Sequence, residues 1–156
     1  MAKTEFQVEP GKQEIFMTRV FDAPRELVFK VCSDPKLVPN WWGPRRLTTH
    51  VEAMDVRPGG TWRFVQRDPD GHEFGFHGVY HDVVAPERVV QTFEFEGVPG
   101  HAVLSTVRFE NLGGKTKLIQ QDVFQSVDDR DAMVQTGMES GASETMDRLA
   151  ELVEKA

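Results

Sequence analysis

The sequence predicts an α+β fold, in which helices cover one face of a single curved antiparallel sheet. Three observations lead to this prediction: a strand and two short helical segments near the N-terminus, a β-rich stretch over 47–125 that is cut by tight turns, and an apolar helical repeat from 128 onwards. A chain of 156 residues is long enough for one domain with a hydrophobic core and short for two. We expect a flexible polar leader over 1–13 and a single domain over 14–156.

The domain begins with a strand and a short helix. Residues 14–21 are rich in β-formers and predict the first strand. Asp22 and Pro24 predict the start of a helix, with Asp22 as the N-cap and Pro24 in the first turn, where its missing N–H costs nothing. Asp34 precedes a proline and ends this helix, so that only a short second helix fits before Pro39.

The middle of the chain carries an almost continuous β signal. Turns rich in glycine and proline separate its segments, since glycine allows a positive φ and proline fixes a negative one. Five such tight connections predict an antiparallel meander. The β-branched and aromatic segments are 47–56, 61–67, 73–84, 88–96, 102–111 and 115–125.

The last part of the chain predicts one long helix over about 128–154. It lacks proline, and acidic residues at its start favour the N-terminal end of a helix dipole. At 1.5 Å per residue the helix would be roughly 40 Å long and would cover one face of the sheet. Gly137 and Gly141 lie one turn apart, which we interpret as close packing of helix on sheet, with room for a ligand as the alternative. Apolar or small residues form one helical stripe at 134, 138, 141, 142, 145, 149, 152 and 153.

Composition argues against several classes of function. The net charge of −7, with basic and acidic residues interleaved, argues against a nucleic-acid partner, because phosphate binding requires clustered Lys and Arg. No phosphate-loop or dinucleotide-binding glycine motif occurs, and no cofactor is expected. No apolar run approaches the roughly 20 residues that cross a bilayer, and no membrane partner is expected. The N-terminus lacks the apolar core of a secretory signal, so we expect a cytoplasmic protein.

Metal binding and nucleophilic catalysis have little support in the sequence. His77 and His81 lie four residues apart on a predicted strand, a span of about 13 Å, and therefore cannot ligate one zinc ion. Cys32 is the only cysteine and lies in an apolar stretch, which we interpret as inert core. The G-x-S-x-G turn of serine hydrolases is absent. No metal site is expected.

Two short clusters point instead to a cavity: Asn40-Trp41-Trp42-Gly43-Pro44 and the segment from Asp55 to Trp62. Each places indole side chains beside glycine or proline, residues at which a backbone bends sharply. We interpret the clusters as the mouth and wall of an apolar cavity. This pattern predicts a domain that binds a small molecule.

Strand alternation predicts an aromatic inner face, provided that no bulge shifts the register. Three strands each repeat aromatic residues on one parity, which is too many for an exposed sheet face. A filled core and an open cavity both fit this pattern. The residues concerned are Trp62 and Phe64, then Phe74, Phe76 and Tyr80, and finally Phe93 and Phe95.

Polar residues share the inward parity at Gln91, Ser105, Gln120 and Asp122. A buried polar group without a partner costs about 1–3 kcal/mol, so each must be paired, hydrated or near an open end. For Gln120 both a ligand contact and a structural hydrogen bond fit the sequence. We expect Asp122 at the wet end of its strand.

The order of elements resembles the helix-grip fold of the START/Bet v 1-like (SRPBCC) superfamily. Within it, the chain is similar to the family named for activators of the heat-shock protein 90 ATPase. The resemblance covers about 14–153 and rests on motifs spread along the chain: Phe21 to Val28, Trp41-Trp42-Gly43-Pro44, Asp55 to Gly60, Gly78-Val79-Tyr80, Pro86 to Val90, Thr116-Lys117-Leu118 and Gly137 to Gly141.

The resemblance implies a cavity between the long helix and the sheet, without implying a reaction. The heat-shock activators are two-domain proteins that are similar to this chain only in their C-terminal half, whereas this chain matches as a stand-alone domain. Many relatives carry a bulky residue, often tryptophan, near position 142, where this chain has Ala142. The smaller side chain is expected to enlarge the cavity.

Three functions remain open. The first is binding of a small apolar molecule without catalysis, the second is an enzyme of unknown reaction that uses the same cavity, and the third is a chaperone-related protein-interaction module. For the first two, ten residues are expected to form the ligand site: Trp42, Trp62, Phe64, Phe76, Tyr80, Phe93, Gln120, Met138, Ala142 and Met146.

Overall fold

A computed structural model describes residues 2–155 and contains eight strands, three α-helices and one 3₁₀ helix. The predicted α+β class is confirmed, because one antiparallel sheet is packed against helices and the last helix is long. In chain order the elements are β1 (Glu5–Gln7), β2 (Glu14–Phe21), α1 (Arg25–Ser33), the 3₁₀ helix (Val38–Asn40), β3 (Thr48–Met54), β4 (Thr61–Arg67), β5 (Glu73–Val84), β6 (Arg88–Phe95), β7 (Val103–Leu112), β8 (Lys115–Val123), α2 (Val127–Gln135) and α3 (Met138–Val153).

The strands form one sheet in the order β1-β2-β8-β7-β6-β5-β4-β3, with every neighbouring pair antiparallel. Strands β3 to β8 are consecutive neighbours, which is the predicted meander. Strand β2 pairs with β8 along its whole length, so the first long strand lies beside the last one. The helices and this curved sheet make up the helix-grip fold.

Part of the predicted leader is a strand. Glu5–Gln7 form β1 and pair with β2, from Glu5 opposite Thr18 to Gln7 opposite Phe16. The polar composition of the leader gives no strand signal. A single apolar side chain can nevertheless hold an edge strand in place. Here Phe6 is that side chain, and it packs against the core.

The first helix begins later than predicted, and its N-cap is Pro24 rather than Asp22. The Pro24 carbonyl accepts hydrogen bonds from the backbone N–H groups of Leu27 at 3.0 Å and Val28 at 3.2 Å. Asp22 has a different role, since its backbone N–H donates to the Glu154 carboxylate at 3.0 Å. The end of β2 is thereby tied to the C-terminal end of α3.

The single C-terminal helix predicted over 128–154 is in fact two helices. Gly137 has a φ of 78°, in the left-handed region, and separates α2 from α3. The 16 residues of α3 span roughly 24 Å instead of 40 Å. Helix α2 starts at a residue that we had not predicted, because the Ser126 hydroxyl accepts the Asp129 backbone N–H at 3.0 Å.

Two bulges alter the strand parity on which the inner face was predicted. Pairing shifts between Val51 and Ala53 in β3 and between Tyr80 and Asp82 in β5. In β5 the inward parity holds up to Tyr80. Beyond the bulge Val83 packs against the core. Without the bulge, strict alternation from Tyr80 would have placed Asp82 on the inner face instead.

A buried arginine lies on the inner face of the sheet. Residues of β2 alternate strictly between buried and half-buried, and Arg19 is one of the buried ones. Its guanidinium donates to the Asp147 carboxylate of α3 at 2.7 Å and to the Thr4 hydroxyl at 3.0 Å. This pair connects α3 to the sheet. None of the helices within 2–155 is long and apolar enough to span a membrane.

Candidate functional site

A cavity of about 390 Å³ lies between the inner face of the sheet and the helices. Its wall is contributed by the connection from α1 to β3, by the central strands, and by α2 and α3. Most of the lining is aromatic, aliphatic or methionine. The polar side chains in the lining are Gln66, Tyr80, Gln91, Ser105, Gln120, Asp122 and Thr145.

The structure brings nine of the ten predicted site residues to this lining: Trp42, Trp62, Phe64, Tyr80, Phe93, Gln120, Met138, Ala142 and Met146. Phe76 is the exception, and its predicted place in the lining is wrong. Its ring packs on Trp42 with centroids 5.3 Å apart and on Phe93 at 5.5 Å. Both of these residues line the cavity, so Phe76 lies behind the wall and supports it.

The aromatic wall is a set of contacting rings, in which Trp42 packs edge to face on its neighbours. Trp42 lies at 81° to Phe64 with centroids 5.0 Å apart and at 64° to Trp62 at 6.5 Å. Trp62 also contacts Phe93, at 6.0 Å. Edge-to-face contacts restrict how each ring can turn. The shape of the wall is therefore defined before any ligand arrives.

The loop that carries Trp42 is held by α3. The Arg148 guanidinium donates to the backbone carbonyl of Gly43 at 2.7 Å and to that of Asn40 at 3.0 Å. From the other side, the Trp41 indole N–H donates to the Val31 carbonyl at 3.2 Å. Three hydrogen bonds to two helices, α1 and α3, thus hold the first tryptophan cluster in the cavity lining.

The second cluster positions Tyr80. Gly59 donates its backbone N–H to the Tyr80 carbonyl at 2.8 Å, and the Tyr80 N–H donates to the Gly60 carbonyl at 2.9 Å. Arg57, in the same turn, pairs with the Asp55 carboxylate at 2.7 Å. The turn is thereby held against β5, and the Tyr80 side chain points into the cavity wall.

A polar group on β7 and β8 interrupts the apolar lining. The Ser105 hydroxyl donates to Asp122 Oδ1 at 2.5 Å, and Gln120 Nε2 lies 3.1 Å and 3.2 Å from the two Asp122 oxygens. Burial raises the pKa of Asp122, although both hydrogen bonds oppose that shift. Asp122 is therefore part of the cavity and not the wet end of its strand. Gln120 combines both predicted roles, as a structural donor and as part of the lining.

The other titratable groups of the lining hold their protons at neutral pH. Burial raises the pKa of the Tyr80 phenol, and the charge of Asp55 adds to the shift. Burial also raises the pKa of the Cys32 thiol to about 12. A thiol with so high a pKa is a poor nucleophile.

One group of donors outside the cavity could hold a metal ion. Within 2–155, Asp68, Asp70 and His72 in the turn between β4 and β5 each offer a ligand atom, and these atoms lie within 4.8 Å of one another. The Asp68 carboxylate is already engaged, since it accepts the backbone N–H groups of Asp70 and His72 at 2.9 Å. It also contacts the His72 ring at 3.1 Å. The group is accounted for as the hydrogen bonding of a turn.

Some site residues were missed from the sequence. Gln66 is 4% exposed and lies in the lining, and its parity with Trp62 and Phe64 on β4 could have identified it. Arg148 touches only backbone carbonyls of a distant loop. Its role in holding the Trp42 loop could not be predicted, because the sequence around Arg148 does not specify which loop α3 contacts.

Comparisons with known proteins agree with this architecture. A protein from Arthrobacter aurescens is 22% identical over 97% of this chain and 92% of its own, with a TM-score of 0.89. A Rhodobacter sphaeroides protein is 23% identical, with coverages of 97% and 99% and a TM-score of 0.89. A Chromobacterium violaceum protein is 26% identical, with coverages of 91% and 97% and a TM-score of 0.82. No curated protein matches the chain significantly.

The family assignment rests on the sequence as well as on the fold. The sequence profile described as activator of Hsp90 ATPase homolog 1-like protein matches residues 22–154. The match takes in both tryptophan clusters, the whole meander from β3 to β8 and all of α3. The resemblance inferred from the motifs is confirmed, and the chain belongs to the activator of Hsp90 ATPase homolog 1-like family.

Proposed function

We propose that this protein binds a small, largely apolar molecule in the cavity between α3 and the sheet. The main observation is the cavity of about 390 Å³ with an aromatic wall. This volume falls in the range of pockets that take small organic ligands, roughly 300–1,000 Å³. Trp42, Trp62, Phe64 and Phe93 would form the apolar contact surface. Gln120 and the residues hydrogen-bonded to it would orient the ligand.

Helix α3 supplies the adaptable side of this site. Met138 and Met146 lie in the lining, and methionine side chains adjust to ligands of different shape. Ala142 and Gly141 lie between them and occupy little space. A Cβ atom built on Gly141 would meet nothing within 4 Å. The helix face over the cavity is therefore open at Gly141.

Binding is better supported than catalysis or a protein-interaction surface. The thiol and the phenol of the lining keep their protons, which leaves Asp122 without a second activated group. Large exposed apolar side chains, which a docking surface would require, number only four within 2–155: Val79, Val98, Leu104 and Leu112.

Two measurements test the proposal. Native mass spectrometry of the purified protein should detect a retained small molecule that is lost on denaturation. Titration with N-phenyl-1-naphthylamine, an apolar probe that is neutral at pH 7, should raise probe fluorescence and quench the tryptophans of the wall. Saturable binding with a stoichiometry of one is expected. Absence of both a retained molecule and probe binding would rule the proposal out.

A further inference from the structure

The cavity lining holds a carboxyl group without a basic partner among the described residues. Within 2–155, its lining includes one carboxyl side chain, Asp122, and no lysine, arginine or histidine. A buried carboxylate is costly unless it has a positive partner or several hydrogen bonds. Ser105 and Gln120 supply neutral donors only. The described lining therefore provides a carboxylate but no positive charge to pair with it.

The hydrogen bonds of Asp122 leave room for one more donor. Oδ1 accepts from Ser105 at 2.5 Å and from Gln120 at 3.1 Å, whereas Oδ2 has only the longer contact with Gln120 at 3.2 Å. A carboxylate oxygen has two lone-pair sites, so Oδ2 can accept a further hydrogen bond. Gln91 pairs directly with Ser105 across β6 and β7 and also lines the cavity. Its amide oxygen adds a second acceptor to this part of the lining.

We infer that the cavity selects apolar molecules that carry one basic amine, whose ammonium group binds the Asp122 carboxylate held by Ser105 and Gln120. This inference rests on the proposed function and gives its ligand a chemical class. An ammonium group offers three donors and the missing positive charge. Charge-assisted hydrogen bonds are about twice as strong as neutral ones. A ligand carboxylate would instead place two negative charges together in an apolar site.

Binding of an amine at Asp122 should depend on pH in a characteristic way. In the empty cavity burial favours the protonated form of Asp122. At a pH where Asp122 is protonated, binding of an ammonium ion releases the Asp122 proton to solvent, and the complex holds an ammonium–carboxylate pair. The affinity for an amine should therefore rise as pH increases through the pKa of Asp122. Tyr80 and Cys32, the other titratable groups of the lining, stay protonated in that range and do not contribute.

Three probes share a naphthyl group and differ in charge, so they separate the apolar contribution to binding from the electrostatic one. They are 2-(1-naphthyl)ethylamine, 2-(1-naphthyl)ethanol and 1-naphthaleneacetate. Calorimetric titration at pH 7 should give the order amine, alcohol, carboxylate, with the amine bound about ten- to hundredfold more tightly than the alcohol. Repeating the amine titration at lower pH, towards the ordinary aspartate pKa of about 4, in buffers of different ionisation enthalpy should reveal proton release.

Asp122→Asn keeps the shape of the side chain and an acceptor for Ser105 and Gln120, and removes the charge. It should weaken amine binding at least about tenfold and change alcohol binding less than about threefold. Glu139→Gln, at an exposed position next to Met138 on α3, is the matched control for loss of one negative charge. It should leave the preference for amine over alcohol unchanged. Thermal unfolding of both variants checks that they fold.

The outcomes distinguish the two proposals. If the alcohol binds and the amine binds no better, the apolar site stands and the amine inference is overturned. The same holds if Asp122→Asn weakens both probes equally, because Asp122 would then act through structure alone. If none of the probes binds, the proposed function fails and the amine inference falls with it.

Discussion

The indole of Trp62 crosses strand β5 directly over Gly78. Trp62 and Gly78 are paired across β4 and β5, and the Trp62 indole N–H donates to the Thr92 carbonyl on β6 at 3.1 Å. A Cβ atom at position 78 would lie 2.6 Å from the indole nitrogen and 1.9 Å from the Thr92 carbonyl oxygen. The absent side chain thus lets one ring span three strands, with its polar edge satisfied and its face in the cavity wall.

We predict that Gly78→Ala destabilises the protein and disturbs the wall. The methyl group would collide with backbone and with a buried indole, neither of which can move freely, so a loss of at least about 1–3 kcal/mol in the free energy of unfolding is expected. Urea denaturation followed by tryptophan fluorescence measures it.

The matched control for Gly78→Ala is Gly75→Ala on the same strand. A Cβ at position 75 would meet the ends of the Glu96 and Arg63 side chains, which can move aside. Their ion pair is partly exposed, so its disturbance should cost less than about 1 kcal/mol. Equal losses in the two variants would show that the close approach of Trp62 to position 78 has no special cost.

Substitution by alanine should change the free energy of unfolding in opposite directions at Gly141 and Gly137. Close packing of the helix on the sheet had been the interpretation of both, and it is wrong, since a Cβ at either position would meet nothing within 4 Å. Gly141→Ala in α3 should therefore raise the free energy of unfolding by about 1 kcal/mol. Gly137→Ala should lower it by about 1–2 kcal/mol, because its φ of 78° is left-handed. Chemical denaturation of both variants tests this, and stabilisation by Gly137→Ala would contradict it.

Asp122 should make stability depend on pH. Its pKa is raised by burial in the folded state, so the folded protein binds the proton more tightly than the unfolded chain does. The stabilisation is complete below the ordinary aspartate pKa of about 4 and is lost as pH rises through the raised pKa. Asp122→Asn cannot ionise, so it should be more stable than the wild type at pH 7.

Urea titrations at several pH values between about 4 and 8 test this expectation. The stability gap between Asp122→Asn and the wild type should widen as pH rises and close near the lower limit. A constant gap across that range would mean that the substitution acts through packing or hydrogen bonding and not through ionisation.

The strands were predictable because their ends are marked chemically. Glycine, proline and aspartate bound each segment of the meander, and the observed limits of β3 to β8 lie within two residues of the predicted ones. The position of β1 was not predictable, because Phe6 acquires its partner only when β2 is already in the sheet. Likewise Gly137 sits within an unbroken apolar stripe, and its left-handed φ is a property of the folded chain.

The sequence predicts which strand residues face the candidate site, but not the contacts that other elements make with them. Alternation on β4 and β6 correctly brings Trp62, Phe64 and Phe93 to one side. Alternation cannot tell that Trp42 arrives from another element and covers Phe76. The partnership of Ser105 with Asp122 also depends on the cross-strand register, which pairs these two residues directly.

Ala142→Trp should distinguish a usable cavity from a packed core. Ala142 lines the cavity on α3 and contacts the main hydrophobic core. If a ligand-sized space lies beneath it, the new indole fills that space. Stability should then stay within about 1 kcal/mol of the wild type or rise, and binding of N-phenyl-1-naphthylamine should be lost.

Ser140→Trp provides the control for Ala142→Trp, because Ser140 is exposed on the same helix and lies outside the lining. It adds the same ring to the same helix, and should leave probe binding intact. A packed core would respond differently, since the indole at position 142 would then overpack it and cost about 1–3 kcal/mol. Such a loss at 142, together with a parent protein that binds no probe, would show that the space between α3 and the sheet is closed to ligands.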